Sequence, residues 1–316
     1  MNPLHVSTAR WLLRRLLLSV LVLWGAATLA FAGMHLLPGN PAQVIAGGPL
    51  GQVSPQVLAL VDADYGFRKP LLAQYAIFLG RLCHGDFGMS YQLDKPVLSV
   101  IGVQLWPSVS LAVGAAVIAV LAAVTIAVGT ASRPRAAMVA RWIDLAFVST
   151  PSFWVGLLLL EAFSFRLHLF PVVGDAGVRS LVLPWITLAL PVTGALALTM
   201  SEGMERALEQ PFAVTVLARG ATRLRLRLRH LLRHAVLPAL TLGGRLLGEL
   251  VGGVVVIETV FARQGIGTVT VTAVEGRDLP VVTGIVMLAT VTFVVINICL
   301  DLLYRVIDPR LRAMPL

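Results

Sequence analysis

The sequence predicts an all-α integral membrane protein with six spanning helices. Three observations predict this class. The chain of 316 residues is 57% hydrophobic and 13% charged, whereas soluble domains are about half apolar and about a quarter charged. Its mean hydropathy is +0.86. Six separate stretches supply the roughly 20 apolar residues that a helix needs to cross about 30 Å of hydrocarbon, and none alternates as a barrel strand would.

The first stretch, Trp11–Leu37, follows Arg10 and carries Arg14 and Arg15 near its start. The "AFA" at Ala30–Ala32 could end a secretory signal, but the apolar run continues to Leu37, which favours an uncleaved span after a short segment, 1–10. Residues 38–105 form a long first loop. Its "LPGNPAQVIAGGPLGQ" is rich in Pro and Gly and reads as loop. Its "PLLAQYAIFLGRL", Pro70–Leu82, reads as a short amphipathic helix opened by a proline at its first position. The core, 106–316, holds the other spans: Trp106–Ala131, Trp142–Phe165, Leu181–Met200, Leu237–Phe261 and Val281–Val306. A loop at 201–236 separates the fourth from the fifth. The chain carries no internal repeat, low-complexity segment or second soluble domain.

Arginine and lysine placement predicts orientation. One side holds Arg10, Arg14, Arg15, Arg133, Arg135, Arg141, Arg206, the basic run after Ala218, and Arg305, Arg310 and Arg312. The other holds Arg68, Lys69, Arg81, Lys95, Arg166, Arg179, Arg263 and Arg277. The ratio is about two to one and alternates at every loop. Both termini, segment 1–10 and loop 201–236 are therefore expected to be cytoplasmic, and 38–105 extracytoplasmic.

The same rule explains the net charge of +9 without nucleic acid, since no aromatic residues interleave the arginines. Cys83 and Cys299 make no metal or disulfide pattern. There is no G-x-x-x-x-G-K-[ST] phosphate loop, because "GGPLGQ" lacks the lysine and hydroxyl residue, and there is no H-E-x-x-H. His5, His35, His84, His168, His230 and His234 are scattered at segment ends. Catalytic, metal and cofactor sites are thus not expected on this chain. Active transport would draw its energy from another chain or an ion gradient.

The basic run "ARGATRLRLRLRHLLRHAVLP", Ala218–Pro238, alternates with period two but is better read as helix. At about 100° per residue, Leu224, Leu228, Leu231 and Ala235 share one face and Arg225, Arg229 and Arg233 the other, with Leu226 as a misfit. Gly220 interrupts the segment and Pro238 is expected to open the fifth span. This predicts a short helix, a turn, then a basic amphipathic helix on the inner membrane face. Such a run also suits an anchor on anionic lipid.

Charges inside the spans are the other unusual feature. Arg245 and Glu249 stand one turn apart, either as an ion pair that serves packing or as a polar lining facing a path. Glu258 is placed near the outer end of the fifth span. Glu161, Asn297 and Asp301 are further polar points. Arg263, Gln264, Gly265 and Gly267 form a re-entrant-like segment, read either as a contact or gate or as a connecting turn.

Taken together, "VTVLARGATRLRLRLRHLLRHAVLPAL" (Val214–Leu240) resembles the EAA loop of bacterial ABC importer permeases. Thr215, Ala218, Arg219, Gly220, Arg233, Ala235, Leu237 and Pro238 fit its pattern. "LLPGNPA", "RKPLLAQY", "GDFGMSY", "PSFWVGLLLL", "LPWITLALP", "VVVIETVFARQGIG" and "DLLYRVIDPRLR" follow in the order of the dipeptide/oligopeptide branch, in the subunit with the long first loop. The resemblance covers nearly the whole chain. It implies the type I permease fold and a non-catalytic subunit in the bacterial cytoplasmic membrane. The implied partners are a second homologous permease, ABC ATPases that use ATP and Mg, an extracytoplasmic solute-binding protein, membrane lipid and a peptide substrate. Thr215, Val216, Leu217, Ala218, Arg219, Gly220 and Pro238 would couple to the ATPase. Arg245, Glu249 and Glu258 would line the path, and Arg263, Gln264, Gly265 and Gly267 would meet the binding protein. Val216 and Leu217 depart from the small alanine and the arginine usual there, which suggests an ATPase socket shaped for bulkier apolar residues. Nickel, glutathione or another small solute are alternative cargoes. A secondary transporter is the alternative of a different class, although the inverted repeats usual there are not seen. A membrane scaffold would not need these ordered motifs.

Overall fold

Apolar helices dominate because the backbone must satisfy its own hydrogen bonds wherever lipid replaces water. The computed structural model describes residues 3–36, 42, 43, 45, 54–90, 92–172 and 177–307. Most of the Pro/Gly-rich loop reading lies outside them. In chain order the elements are α1 (Pro3–Leu36), α2 (Pro55–Tyr65), α3 (Leu71–Cys83), β1 (Met89–Ser90), β2 (Lys95–Pro96), α4 (Val97–Thr130), α5 (Pro134–Ser149) and α6 (Ser152–Leu159). A π-helical turn, Leu160–Arg166, continues α6. Then come α7 (Arg179–Leu208), α8 (Pro211–Ala218), α9 (Arg223–Arg225), a second π-helical turn (Leu226–Leu231), α10 (Leu232–Val260), α11 (Ile266–Glu275) and α12 (Leu279–Ile307).

Five helical stretches among the described residues are long and apolar enough to cross a membrane: Leu13–Leu36, Val97–Thr130, Arg179–Leu208, Arg223–Val260 and Leu279–Leu303. The third predicted span is different. Instead of one straight helix, α5 and the stretch Ser152–Arg166 meet at a bend of 102°. The cause is local. Pro151 disfavours the helical region for the residue before it, and Thr150 is extended at φ −91°, ψ 128°. The π turn that follows brings residues five apart into register, so Glu161 and Arg166 form an ion pair of 2.9 Å.

The chain forms two compact units. The described residues of the first fall in Met1–Pro107 and Gln264–Ile298, and those of the second in Ser108–Arg263 and Cys299–Arg312. In the second unit, α4 turns a stripe of buried alanines inward, Ala115, Ala119, Ala123 and Ala127. Small residues of this kind let helices approach closely where lipid offers no hydrophobic drive. The Trp185 indole of α7 donates to the Ser110 carbonyl of α4 at 3.1 Å. Leu188, Val192, Leu196, Met200 and Met204 of α7 join Leu246, Leu250, Val254 and Ile257 of α10 in the same core. Helices α5 and α7 pass so closely at Gly194 that a Cβ there would stand 2.5 Å from the Asp144 carbonyl oxygen.

In the first unit, Ala27, Phe31 and Met34 of α1 pack with Val61 of α2 and Phe78 of α3. Pro70 caps α3 from outside rather than occupying its first turn. The Arg81 guanidinium lies 4.8 Å from the centre of the Tyr65 ring and 2.8 Å from Asp86. Burial pushes the Tyr65 hydroxyl up to about 12, against the opposing pull of Arg81. The hydrogen bond from Arg81 holds the Asp86 carboxyl below its ordinary value. The hairpin β1–β2 pairs Met89 with Pro96 and Ser90 with Lys95. Ser90 donates to Asp278 at 2.5 Å across 188 residues, and both are buried.

Candidate coupling and translocation sites

Helix α8 begins with Pro211 in its first turn and is ended by Gly220. Gly220 sits at φ +80°, where an L side chain is disfavoured. Its N–H donates to Leu217 O at 2.9 Å, and Ala221 N–H donates to Val216 O at 3.3 Å. These two bonds make a Schellman stop. Thr222 then caps the next helix, accepting from Arg225 N–H at 3.2 Å.

The helix is held from one side. Ala213 is buried, Val216 packs against the core, and the Phe212 ring stacks on His234 with centroids 5.1 Å apart. The opposite side is open: Val214 is 70% and Leu217 41% exposed, with Thr215, Ala218 and Arg219 exposed beside them. Val216, expected to face a socket, packs against the core instead, and the exposed apolar residue beside Leu217 is Val214, which the sequence did not single out. The i, i+3, i+4 spacing of Val214, Leu217 and Ala218 was the available signal.

The basic run is phased differently from its prediction. Leu226, Arg227, Leu231 and Ala235 are buried, while Leu224 and Leu228 are exposed. The π turn causes this, because its i→i+5 bonding lines up Leu226 with Leu231. Leu226, the expected misfit, is thus a core residue. Pro238 does not open the fifth span. The helical stretch runs unbroken from Arg223 to Val260 with Pro238 inside α10. The missing amide there leaves the His234 carbonyl without its helical donor, and both residues are exposed.

Along α10, Thr241, Arg245, Glu249, Gly252, Val256 and Thr259 form one exposed stripe. The Arg245 Nε–Glu249 Oε1 pair closes at 3.0 Å with side chains 78% and 55% exposed. Leu246, Leu250, Val254 and Ile257 hold the other face in the core. Glu258 lies near the end of α10, as expected, but not on the stripe: it is 1% exposed and accepts from Ser108 Oγ at 2.6 Å.

Helix α10 ends in a second Schellman stop, with Arg263 N–H donating to Glu258 O at 2.8 Å and Ala262 N–H to Thr259 O at 3.2 Å. Here the left-handed residue is Ala262, at φ +48°. Arg263 donates to both Ser180 O, 3.3 Å, and Ser180 Oγ, 2.8 Å. In the first unit, Gly265 precedes α11 and its N–H meets Thr268 Oγ1 at 3.1 Å, while Gly267 is buried in the helix. Among the described residues no group of acidic, His and Cys side chains is arranged to hold a metal.

Comparison with known proteins agrees with this architecture. The profile of the binding-protein-dependent transport system inner membrane component matches residues 115–313. The profile of the N-terminal part of such membrane components matches residues 8–112. A predicted peptide transport system permease protein of Brucella abortus is 36% identical over 318 residues, covering 95% of this chain and 98% of the relative. The glutathione transport system permease protein GsiC of Salmonella typhimurium is 33% identical over 309 residues, covering 96% and 98%. The chain therefore belongs to the family of inner membrane components of binding-protein-dependent transport systems, and is the multi-pass, non-catalytic permease subunit of an ABC importer.

Proposed function

We propose that this permease carries short peptides, as one half of a path completed by a second homologous permease. The observation that carries the reading is the Arg245–Glu249 pair on the exposed face of an apolar span. A charged pair costs too much to face lipid and belongs against a water-filled path or a partner. Paired opposite charges suit a solute that bears an ammonium and a carboxylate at once. The relatives named for peptides and for glutathione support the same class, since glutathione is a tripeptide. Nothing comparable favours nickel.

In this reading α8 is the coupling helix on the cytoplasmic side. Val214, Thr215, Leu217, Ala218 and Arg219 dock on an ABC ATPase, Val216 and Phe212 fix the helix to the bundle, and Gly220 sets its exit. ATP and Mg act on the ATPases, whose closure moves α8 and switches the bundle between inward-facing and outward-facing states. An extracytoplasmic solute-binding protein delivers the peptide near Arg263, Gln264, Gly265 and Gly267. The test is reconstitution of both permeases and their ATPases in proteoliposomes with the binding protein. Labelled dipeptide, tripeptide and glutathione are then offered with and without ATP. ATP-dependent uptake of at least one peptide is expected. Uptake that persists without the ATPase, or a binding protein that ignores all three peptides, overturns the reading.

A further inference from the structure

Six arginines lie between Arg219 and Arg233, and five of them are exposed. Arg227 alone is buried, at 7% exposure. The π turn places it against the last turn of α4, where its Nη1 reaches Val128 O at 3.5 Å. A cation at a helix C-terminus is favoured by the helix dipole. That contact uses one of five guanidinium N–H groups, and it is long. The Nε atom is buried with no hydrogen-bond partner. The charges that act on Arg227 are those of Arg133, in the turn between α4 and α5, and Arg223, and both repel it. The carboxylates at the end of α7 are engaged elsewhere: Glu205 faces Arg141 and Glu202 faces Arg206, each at 3.5 Å.

A buried guanidinium with an unfilled donor and two cationic neighbours is costly unless an anion completes it. We propose that Arg227, Arg223 and Arg133 form a binding site for the phosphate of an anionic phospholipid headgroup. Two features favour lipid over a soluble anion. The site stands at the end of α4, an apolar span, where hydrocarbon gives way to headgroups. Exposed Leu224 and Leu228, at 58% and 49%, lie on the same helical stretch and offer apolar cover to an acyl chain. Basic pockets between spanning helices take anionic headgroups in this way. The packed Arg227 separates this site from a diffuse basic surface, because burial holds its guanidinium in one place.

The test uses the complete permease–ATPase complex, purified from membranes that contain phosphatidylglycerol, with retained lipid counted by native mass spectrometry. The wild type is expected to keep phosphatidylglycerol. Arg223→Gln should retain about fivefold less, as each such arginine contributes on the order of 1 kcal/mol, and Arg227→Gln should lose more. Arg166→Gln, an equal change of net charge at another place, should retain the wild-type amount. If Arg227→Gln fails to assemble, Arg223→Gln carries the test, because its side chain is exposed. Unchanged retention in both variants overturns the proposal. Displacement of the lipid by millimolar inorganic phosphate overturns it in favour of a soluble anion. Loss of the ATPase from Arg227→Gln with lipid still bound overturns it in favour of an ATPase carboxylate.

Discussion

Helices α8 and α10 each show a surface unsuited to its surroundings. Helix α8, only eight residues long, exposes Val214 and Leu217 on a segment too short to cross a bilayer. Helix α10 lies within a stretch that can cross one, yet it exposes Arg245 and Glu249. Apolar side chains facing water and charges facing hydrocarbon are both unfavourable. Under the proposed function the opposite errors have one explanation: neither face is a free surface in the assembly, α8 meeting an apolar socket and α10 a polar path.

The sharpest way to break this comparison is to make α8 polar. Val214→Arg combined with Leu217→Arg should leave the bundle intact, since both side chains are exposed. It should cut transport-stimulated ATP hydrolysis about thirtyfold, the scale of a lost interface anchor of about 2 kcal/mol. Unchanged stimulation would remove α8 from the coupling role.

On α10, Glu249→Gln leaves Arg245 without its partner. Peptide uptake should fall about tenfold, equivalent to about 1.4 kcal/mol, at normal complex yield. The exchanged pair Arg245→Glu with Glu249→Arg separates lining from packing. Recovery of uptake in the exchange would mean that the pair serves packing alone.

The helix stops provide smaller tests. Gly220→Ala puts a side chain at φ +80° and should lower the thermal midpoint of the complex, at a cost of about 1 kcal/mol. Ala262→Gly removes the same kind of strain and should raise the midpoint, by a few tenths to about 1 kcal/mol after the glycine's added chain entropy. Opposite signs are expected from two stops with the same hydrogen bonds and different residues.

Most of the fold was legible because hydropathy over about 20 residues is a strong signal. The Arg245–Glu249 pair was legible because i, i+4 geometry is local. Three of the misses share a cause: they depend on departures from the regular helix. Leu226 was misplaced because a fixed rotation of about 100° per residue fails across a π turn. Arg227 was not distinguished from the rest of the basic run because its burial follows from that same turn. The bend after α5 had a visible mark in Thr150–Pro151, but the apolar run on both sides concealed it. Pro238 misled because proline commonly opens helices, whereas here it sits inside one. Glu258 was given a lining role by its charge, and only tertiary packing brings Ser108 to it.

The Ser90–Asp278 bond has a consequence for how the chain is made. The two residues are 188 positions apart, and the amide of Gln92 likewise reaches the carbonyl of Gly276. Asp278 also receives Val281 N–H at 3.4 Å, so one carboxylate ties the hairpin to the start of the last helix. Ribosomes add about 5–20 residues per second. The hairpin therefore waits on the order of ten to forty seconds for its partner to be synthesised, and a chain cut short before Asp278 can never fasten it.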